Sequence, residues 1–332
     1  MKVLVTGACG FIGSHLVEEL VKKNFNVKAF TFYNARSSNG WLDTIDSKVI
    51  KEVEVISGDI RDSDFLENNT KNIDIIFHLA ALIGIPYSYN AVKSYIDTNI
   101  NGTYNVLSAA RKNNVLKTII TSTSEVYGSA QFVPITEKHS LNAQSPYAAS
   151  KIGADQLALS FYKSFDLPIT IIRPFNTFGP RQSARAIIPT IITQLFKNNG
   201  LIKLGNIFTT RDFSYISDTV NAFVKAAIIN KNINGEVINI GNKFEISIKN
   251  ILEILKKDLG YNFKIKIEKK RIRNSKSEVN RLFASNKKAK KLLKWEPRYS
   301  GHNGFKKGLK ETLEWFEKNE NLKKYNSSSY SI

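Results

Sequence analysis

Hydrophobic positions fall into short solid runs separated by longer stretches with helical spacing. The solid runs at 2–6, 26–32, 53–57, 73–79, 115–120, 167–172 and 237–240 predict strands covered on both faces. Between them, apolar residues recur every three or four positions at 14–22, 92–113, 147–162 and 187–197, which predicts amphipathic helices. This alternation predicts an α/β fold built on a doubly wound parallel sheet. Pro and Gly at 174–180 mark the chain leaving that sheet, and 212–242 is expected to return to it. The larger domain is therefore placed at 1–178 with 212–242, and a smaller, interleaved α/β domain at 179–211 and 243–322. From 323 to 332 the chain is polar, low in complexity and expected to fray.

Composition narrows the setting. The 332 residues are enough for a large core, and no apolar run reaches the roughly 18 residues of a membrane span. The opening Met1-Lys2-Val3-Leu4-Val5 is broken by Gly7 and followed by Glu18 and Glu19, so it is not read as a signal peptide. A single cysteine, Cys9, allows no internal disulfide; a cytoplasmic protein is expected, with Cys9 a packed small residue. Net charge is +19, but the lysines are scattered, densest at 256–294, with no interleaved aromatics. That favours attraction of a phosphorylated small molecule; no nucleic acid, membrane or metal is expected as a partner.

Two stretches carry candidate chemistry. Gly7-Ala8-Cys9-Gly10-Phe11-Ile12-Gly13 follows a strand and opens a helix. In that context glycines let the backbone approach a pyrophosphate at a helix N-terminus, so the domain reads as dinucleotide-binding. Gly7, Asp59, His78, Leu79, Ala80, Ala81 and Thr123 all fall at carboxyl ends of strands, where such sheets bind ligands. The second stretch, 121–151, places Thr123, Ser124 and Glu125 after a strand, and Tyr147 and Lys151 four apart on a helix. Moving a phenol from pKa about 10 to about 7 requires roughly 4 kcal/mol. A Lys ammonium about 4 Å away, at an effective dielectric near 20, supplies a term of that order. The same spacing also serves as an ordinary surface pair.

Taken together, Gly7-x-x-Gly10-x-x-Gly13, Gly58-Asp59, His78-Leu79-Ala80-Ala81, Asn99-x-x-Gly102-Thr103 and Tyr147-x-x-x-Lys151 resemble the extended short-chain dehydrogenase/reductase family. Its nucleotide-sugar epimerases and dehydratases match from Met1 to about Pro297. The resemblance implies that Thr123 hydrogen-bonds the sugar C4 hydroxyl, Tyr147 deprotonates it and Lys151 holds the nicotinamide ribose. It further implies cofactor contacts from Gly7, Gly10, Phe11, Ile12 and Gly13, from Asp59 and Ile60 at the adenine, and from Leu79, Ala80, Ala81 and Asn99. For the nucleotide sugar it implies Asn176 and Arg211 at the diphosphate, Ile187, Ile188, Lys203 and Leu204 beside the base, and Arg273 and Glu278 more distally. Ser88 and Arg185 complete the implied substrate contacts. Arg211 has the forked donors a diphosphate needs, and equally could pair with its neighbour Asp212. A homodimer through the helices at 92–113 and 147–165 is implied as well.

Thr123-Ser124-Glu125 resembles GDP-mannose 4,6-dehydratases and departs from the Thr-Asp-Glu of dTDP-glucose 4,6-dehydratases. Glu125 is expected to take the C5 proton once C4 is a ketone. With Ser124 where others carry Asp, the acid for water loss is Ser124, a water or Glu125 itself. The runs 173–189, 243–248 and 276–281 are similar to N-acetylglucosamine-nucleotide 4,6-dehydratases of bacterial legionaminic-acid (nonulosonate) pathways. A GDP- or UDP-linked N-acetylglucosamine is therefore the expected substrate, and its 4-keto-6-deoxy derivative the product. Alternatives are a UDP-glucuronate-type decarboxylase with Arg185 on the C6 carboxylate, a 4-epimerase, and a non-catalytic NAD(P)-binding regulator. The second predicted strand ends without the acidic residue that holds the NAD ribose, none occurring before Asp43. Arg36-Ser37-Ser38-Asn39 could hold a 2′-phosphate by charge-assisted bonds worth roughly 1.5–3 kcal/mol. NADP is thus expected over NAD, the alternative being an unphosphorylated ribose met by Thr31 or backbone.

Overall fold

The computed structural model describes residues 1–198, 200–272 and 274–325. The strands, in chain order, are β1 (Lys2–Thr6), β2 (Asn26–Phe32), β3 (Val53–Gly58), β4 (Ile75–His78), β5 (Lys117–Thr121), β6 (Ile169–Pro174), β7 (Asn176–Phe178), β8 (Leu201–Leu204), β9 (Thr210–Tyr215), β10 (Val237–Ile240), β11 (Glu245–Ser247) and β12 (Lys264–Ile267). Seven form one sheet in the order β10-β6-β5-β4-β1-β2-β3, every pair parallel. Burial on both faces explains the solid apolar runs of the inner strands, whereas the edge strand β3 has no fully buried residue. Val3 and Val5 join the core on one face, and Leu4 joins the core on the other; all three are fully buried. Helices Phe11–Lys22 and Ile216–Ile228 cover the first face, Gly102–Lys112 and Pro146–Phe165 the second.

Strand order reverses at β1, which lies between β2 and β4. The two chains leaving β1 and β4 diverge there and open a crevice at their carboxyl ends. The predicted helix at 92–113 is present but interrupted: a π-helical segment, Ile96–Asn101, precedes Gly102–Lys112. Such widened turns occur where a side chain is re-aimed for a specific contact, here Asn99.

The smaller unit contains the sheet β11-β9-β7, the parallel pair β8–β12 and helices Ile187–Lys197, Ile248–Glu253 and Gly301–Glu317. Because β9 stays in the small sheet, the chain rejoins the large one through Ile216–Ile228 and β10. Phe178, Phe213, Tyr215 and Phe305 stack in one aromatic cluster that continues into the core of the large sheet. The fraying expected from 323 does not begin there: Tyr325 is buried against Trp41 and Phe316, and its hydroxyl donates to the Gln182 carbonyl at 2.9 Å. Burial of an aromatic ring outweighs the polarity of its neighbours.

Candidate active site

Close backbone approach sets the glycine spacing. Gly7 has φ +67°, and a Cβ there would lie 2.7 Å from the Ala80 nitrogen. A Cβ on Gly13 would lie 2.2 Å from the Gly7 carbonyl oxygen. The loop thus folds tightly on itself and against the chain leaving β4. Gly10 caps helix Phe11–Lys22 with no side-chain hydrogen bond, so Phe11, Ile12 and Gly13 form an uncapped first turn. A glycine-walled crevice ending on an uncapped helix fits the pyrophosphate of a dinucleotide.

His78 is structural. Thr6 Oγ1 accepts the N–H groups of Leu79 and Ala80, each at 3.1 Å, so its own proton points to His78 Nδ1 at 2.9 Å. Nε2 then carries the ring proton and donates to Thr103 Oγ1 at 3.0 Å, and Thr103 donates to the Asn99 carbonyl at 2.6 Å. Burial, with Lys151 adding to it, pushes His78 down to about 3, so the ring stays neutral. Asn99 holds the next segment through both its amide groups: it accepts from Leu82 N–H and donates to the Leu82 carbonyl, each at 2.9 Å. It also donates to Ser150 Oγ on the Tyr147 helix at 2.9 Å. Asn99 therefore shapes the wall formed by Leu79, Ala80 and Ala81.

At the adenosine end, Asp59 is engaged by Arg61, whose Nε donates to it at 2.9 Å and which holds the carboxyl below its usual range. Ile60 is buried against Gly102. The loop after β2 folds back on the glycine loop, with Trp41 N–H donating to the Cys9 carbonyl at 3.0 Å. Arg36 is exposed, but Ser38 is not free for a phosphate: its hydroxyl donates to Asp43 Oδ2 at 2.9 Å, and Asn39 N–H donates to the same oxygen at 2.9 Å. These two bonds fold Asp43, eleven residues past the end of β2, back onto the loop that carries Arg36. Thr31, at 1% exposure, is engaged with the Ile56 carbonyl and Ser57.

The catalytic candidates converge. Thr123 accepts Glu125 N–H at 3.2 Å and caps the short turn Ser124–Tyr127. Ser145 caps helix Pro146–Phe165 through Ala148 N–H at 3.1 Å, with Pro146 at its first position, so Tyr147 sits in the first turn. Lys151 donates to the Thr121 carbonyl at 2.7 Å, tying the helix to the end of β5. Ser124 is 2% exposed. Tyr95 packs edge-on against Tyr147, ring centroids 6.2 Å apart.

The expected lowering of the Tyr147 pKa by Lys151 is not what the protein alone provides. Burial raises the phenol; a hydrogen bond with Thr123 opposes this, and the charge of Glu125 adds to the rise. Desolvation disfavours the phenolate more than the surrounding groups favour it. Lys151 is itself lowered by burial, against a raising effect from Asp155.

On the substrate side, Asn176 opens β7, and its side-chain oxygen is buried without a partner among the described residues. A buried acceptor of this kind suits a ligand donor. Arg211 does not pair with Asp212. It lies 3.4 Å from Glu278, while Asp212 is fully buried and accepts N–H groups from Asn242 at 2.7 Å and Ala284 at 3.1 Å. Arg185 is exposed, packed beside Gly84, and its charge reaches Tyr95. Ser88 is buried and donates to the Ile85 carbonyl at 2.7 Å, which withdraws its hydroxyl from a substrate. Ile188 and Leu204 point into the core, so Ile187 and Lys203 are the members of those pairs left at the surface. Arg273 lies outside the described residues. A cavity of about 380 Å³ opens along the rim between Tyr89, Gln144, Asn274, Lys276 and Ser277.

Sequence reasoning missed one cluster. Asp155 Oδ2 accepts Ser122 Oγ at 2.6 Å and Arg173 Nε and Nη2 at 3.1 and 2.9 Å. Arg173 also donates to the Tyr127 hydroxyl at 2.9 Å, which donates to Asn239 at 2.8 Å. The one sequence signal was the spacing of Tyr147, Lys151 and Asp155, four apart on one helix face.

Residues 4–308 match the family model for GDP-mannose 4,6-dehydratase. Human dTDP-D-glucose 4,6-dehydratase is 32% identical over 341 residues, covering 96% of this chain and 90% of the human one. The UDP-N-acetyl-alpha-D-glucosaminuronate decarboxylase of Bacillus cytotoxicus is 33% identical over 339 residues, covering 96% and 99%. Among solved structures, UDP-glucuronic acid 4-epimerase from Bacillus cereus, in complex with UDP-glucuronic acid and NAD, superposes with a TM-score of 0.85. It is 31% identical, with 96% and 99% of the two chains covered.

Proposed function

We propose a function from one premise: the chain belongs to the GDP-mannose 4,6-dehydratase family, within the extended short-chain dehydrogenases/reductases that act on nucleotide sugars. The reading is a 4,6-dehydratase that converts a GDP- or UDP-linked N-acetylglucosamine to its 4-keto-6-deoxy derivative, a reaction of the kind used in legionaminic-acid biosynthesis in the cytoplasm. The observation that carries it is the turn Ser124–Tyr127, capped by Thr123 through Glu125 N–H at 3.2 Å, which holds the Glu125 carboxylate beside the Thr123–Tyr147 pair. Oxidation at C4 alone needs no such group.

Tyr147 takes the C4 hydroxyl proton while Thr123 holds that oxygen, and Lys151 holds the ribose beside it. A bound nicotinamide dinucleotide supplies a hydride acceptor for C4 and a donor for C6, ending the turnover as it began. Glu125 removes the C5 proton, made acidic by the adjacent ketone, and delivers it to the C6 hydroxyl. Water leaves and a C5–C6 double bond forms. Glu125 is the carboxylate of this turn, so this proton is assigned to it rather than to the neutral hydroxyl of Ser124. A proton returned to C5 matches the one Tyr147 took. Asn176 and Arg211 bind the diphosphate, the latter with Glu278 as its partner. The Asp43 carboxylate on Ser38 changes the cofactor reading from NADP to NAD, since it would repel a 2′-phosphate.

A second reading rests on Arg185. Its exposed position beside Gly84 suits a hexuronate carboxylate, making loss of CO₂ from the 4-ketone or re-reduction at C4 the outcome. Glu125→Gln distinguishes the readings. For dehydration, the variant accumulates reduced nicotinamide and loses both water elimination and deuterium uptake at C5. Unimpaired turnover would exclude Glu125 as the base.

The unit is proposed to be a two-fold dimer. Val92, Ile96 and Tyr104 are exposed along one helical stretch, with Phe165 exposed at the end of the neighbouring helix.

A further inference from the structure

The helix Pro146–Phe165 grips the end of β5 at two consecutive residues. Lys151 donates to the Thr121 carbonyl at 2.7 Å, and one turn later Asp155 accepts the Ser122 hydroxyl at 2.6 Å. The next residue is Thr123. Asp155 is fully buried, and Arg173, 3% exposed, closes on it from the end of β6, three residues before Asn176. Arg173 is held in turn by Tyr127, the last residue of the turn that carries Glu125. One carboxylate therefore joins the segments bearing Thr123, Glu125, Lys151 and Asn176. At 0% exposure it touches no substrate.

We propose that Asp155, locked by Arg173, is a positioning residue that sets Thr123 against Tyr147 and keeps Lys151 an ammonium in its buried site. The inference rests on the catalytic reading of Tyr147 and Lys151 given above. Lys151 is desolvated, and its hydrogen bond to a neutral carbonyl supplies no counter-charge; Asp155 is the group that favours its charged form. Asp155 retains one oxygen, Oδ1, without a partner among the described residues, so Arg173 and Ser122 do not exhaust it. The other charged or titratable groups around the pair are Tyr147 on the same helix, Arg173 on β6, Tyr127 and Glu125 on the turn, Glu137 facing Tyr127, and His78 on β4.

The test compares wild type, Asp155→Asn and the double variant Asp155→Asn/Arg173→Gln. The double variant removes both charges and keeps a hydrogen-bonding pair, in case the single variant fails to fold. Side-chain carbon NMR titration of Lys151 in the cofactor-free protein should show it losing its proton at lower pH in Asp155→Asn than in wild type. The alkaline limb of the kcat profile should move with it. At the wild-type optimum, kcat should fall about tenfold or more through misplacement of Thr123, with KM unchanged. An unchanged Lys151 titration in folded Asp155→Asn overturns the proposal, as does a wild-type kcat in the double variant, because the pair is then packing only. Should wild type itself convert no nucleotide sugar, the functional reading fails instead, while the Lys151 titration still tests the pair.

Discussion

Ser38 donates its hydroxyl to Asp43 at 2.9 Å, which sets a carboxylate in the loop whose sequence reads as a 2′-phosphate site. NAD should bind the cofactor-free protein more tightly than NADP. Asp43→Ala should narrow the difference by on the order of tenfold, about 1.4 kcal/mol. Calorimetric titration with both cofactors checks this; a wild type that prefers NADP would contradict it.

Gly13 leaves no room for a methyl group. A Cβ would lie 2.2 Å from the Gly7 carbonyl, a backbone atom that cannot swing aside. Gly13→Ala should therefore displace the loop from the helix, costing about 1–3 kcal/mol of stability and weakening NAD binding. Gly260→Ala is the control. No atom lies within 4 Å of a Cβ there, so only the strain of φ +75° remains and cofactor affinity should hold. Equal loss of NAD affinity in both variants would refute the close-packing explanation.

The large sheet was legible because strands buried on both faces leave solid apolar runs, as at Val3-Leu4-Val5. The glycine spacing was legible because the chain's own backbone imposes it. Pairings between residues distant in sequence were not. Arg211 meets Glu278 sixty-seven residues away rather than adjacent Asp212, whose burial depends on how Asn242 and Ala284 arrive around it. The Arg173–Asp155 pair leaves no local pattern, because it forms only where β6 and the helix Pro146–Phe165 come together. Ser38 looked free because the fold of its loop onto Asp43 leaves no periodic signal.

Ile96 and Tyr104, 43% and 49% accessible, lie on the helical stretch proposed above to face a second copy. Light scattering should report a dimer at micromolar concentration, and Ile96→Glu/Tyr104→Glu should shift it to monomer. A monomeric wild type would contradict the interface.

This chain is proposed to remove water across C5 and C6 of a 4-keto sugar. NMR of the products from a panel of GDP-, UDP- and dTDP-linked hexoses, N-acetylhexosamines and hexuronates tests it most directly. The expected result is a 4-keto-6-deoxy product from an N-acetylglucosamine nucleotide, with one solvent deuteron at C5 and the C4 deuterium of labelled substrate recovered at C6. A pentose product, a C4 epimer with C6 still oxygenated, or no conversion of any N-acetylglucosamine nucleotide would contradict it.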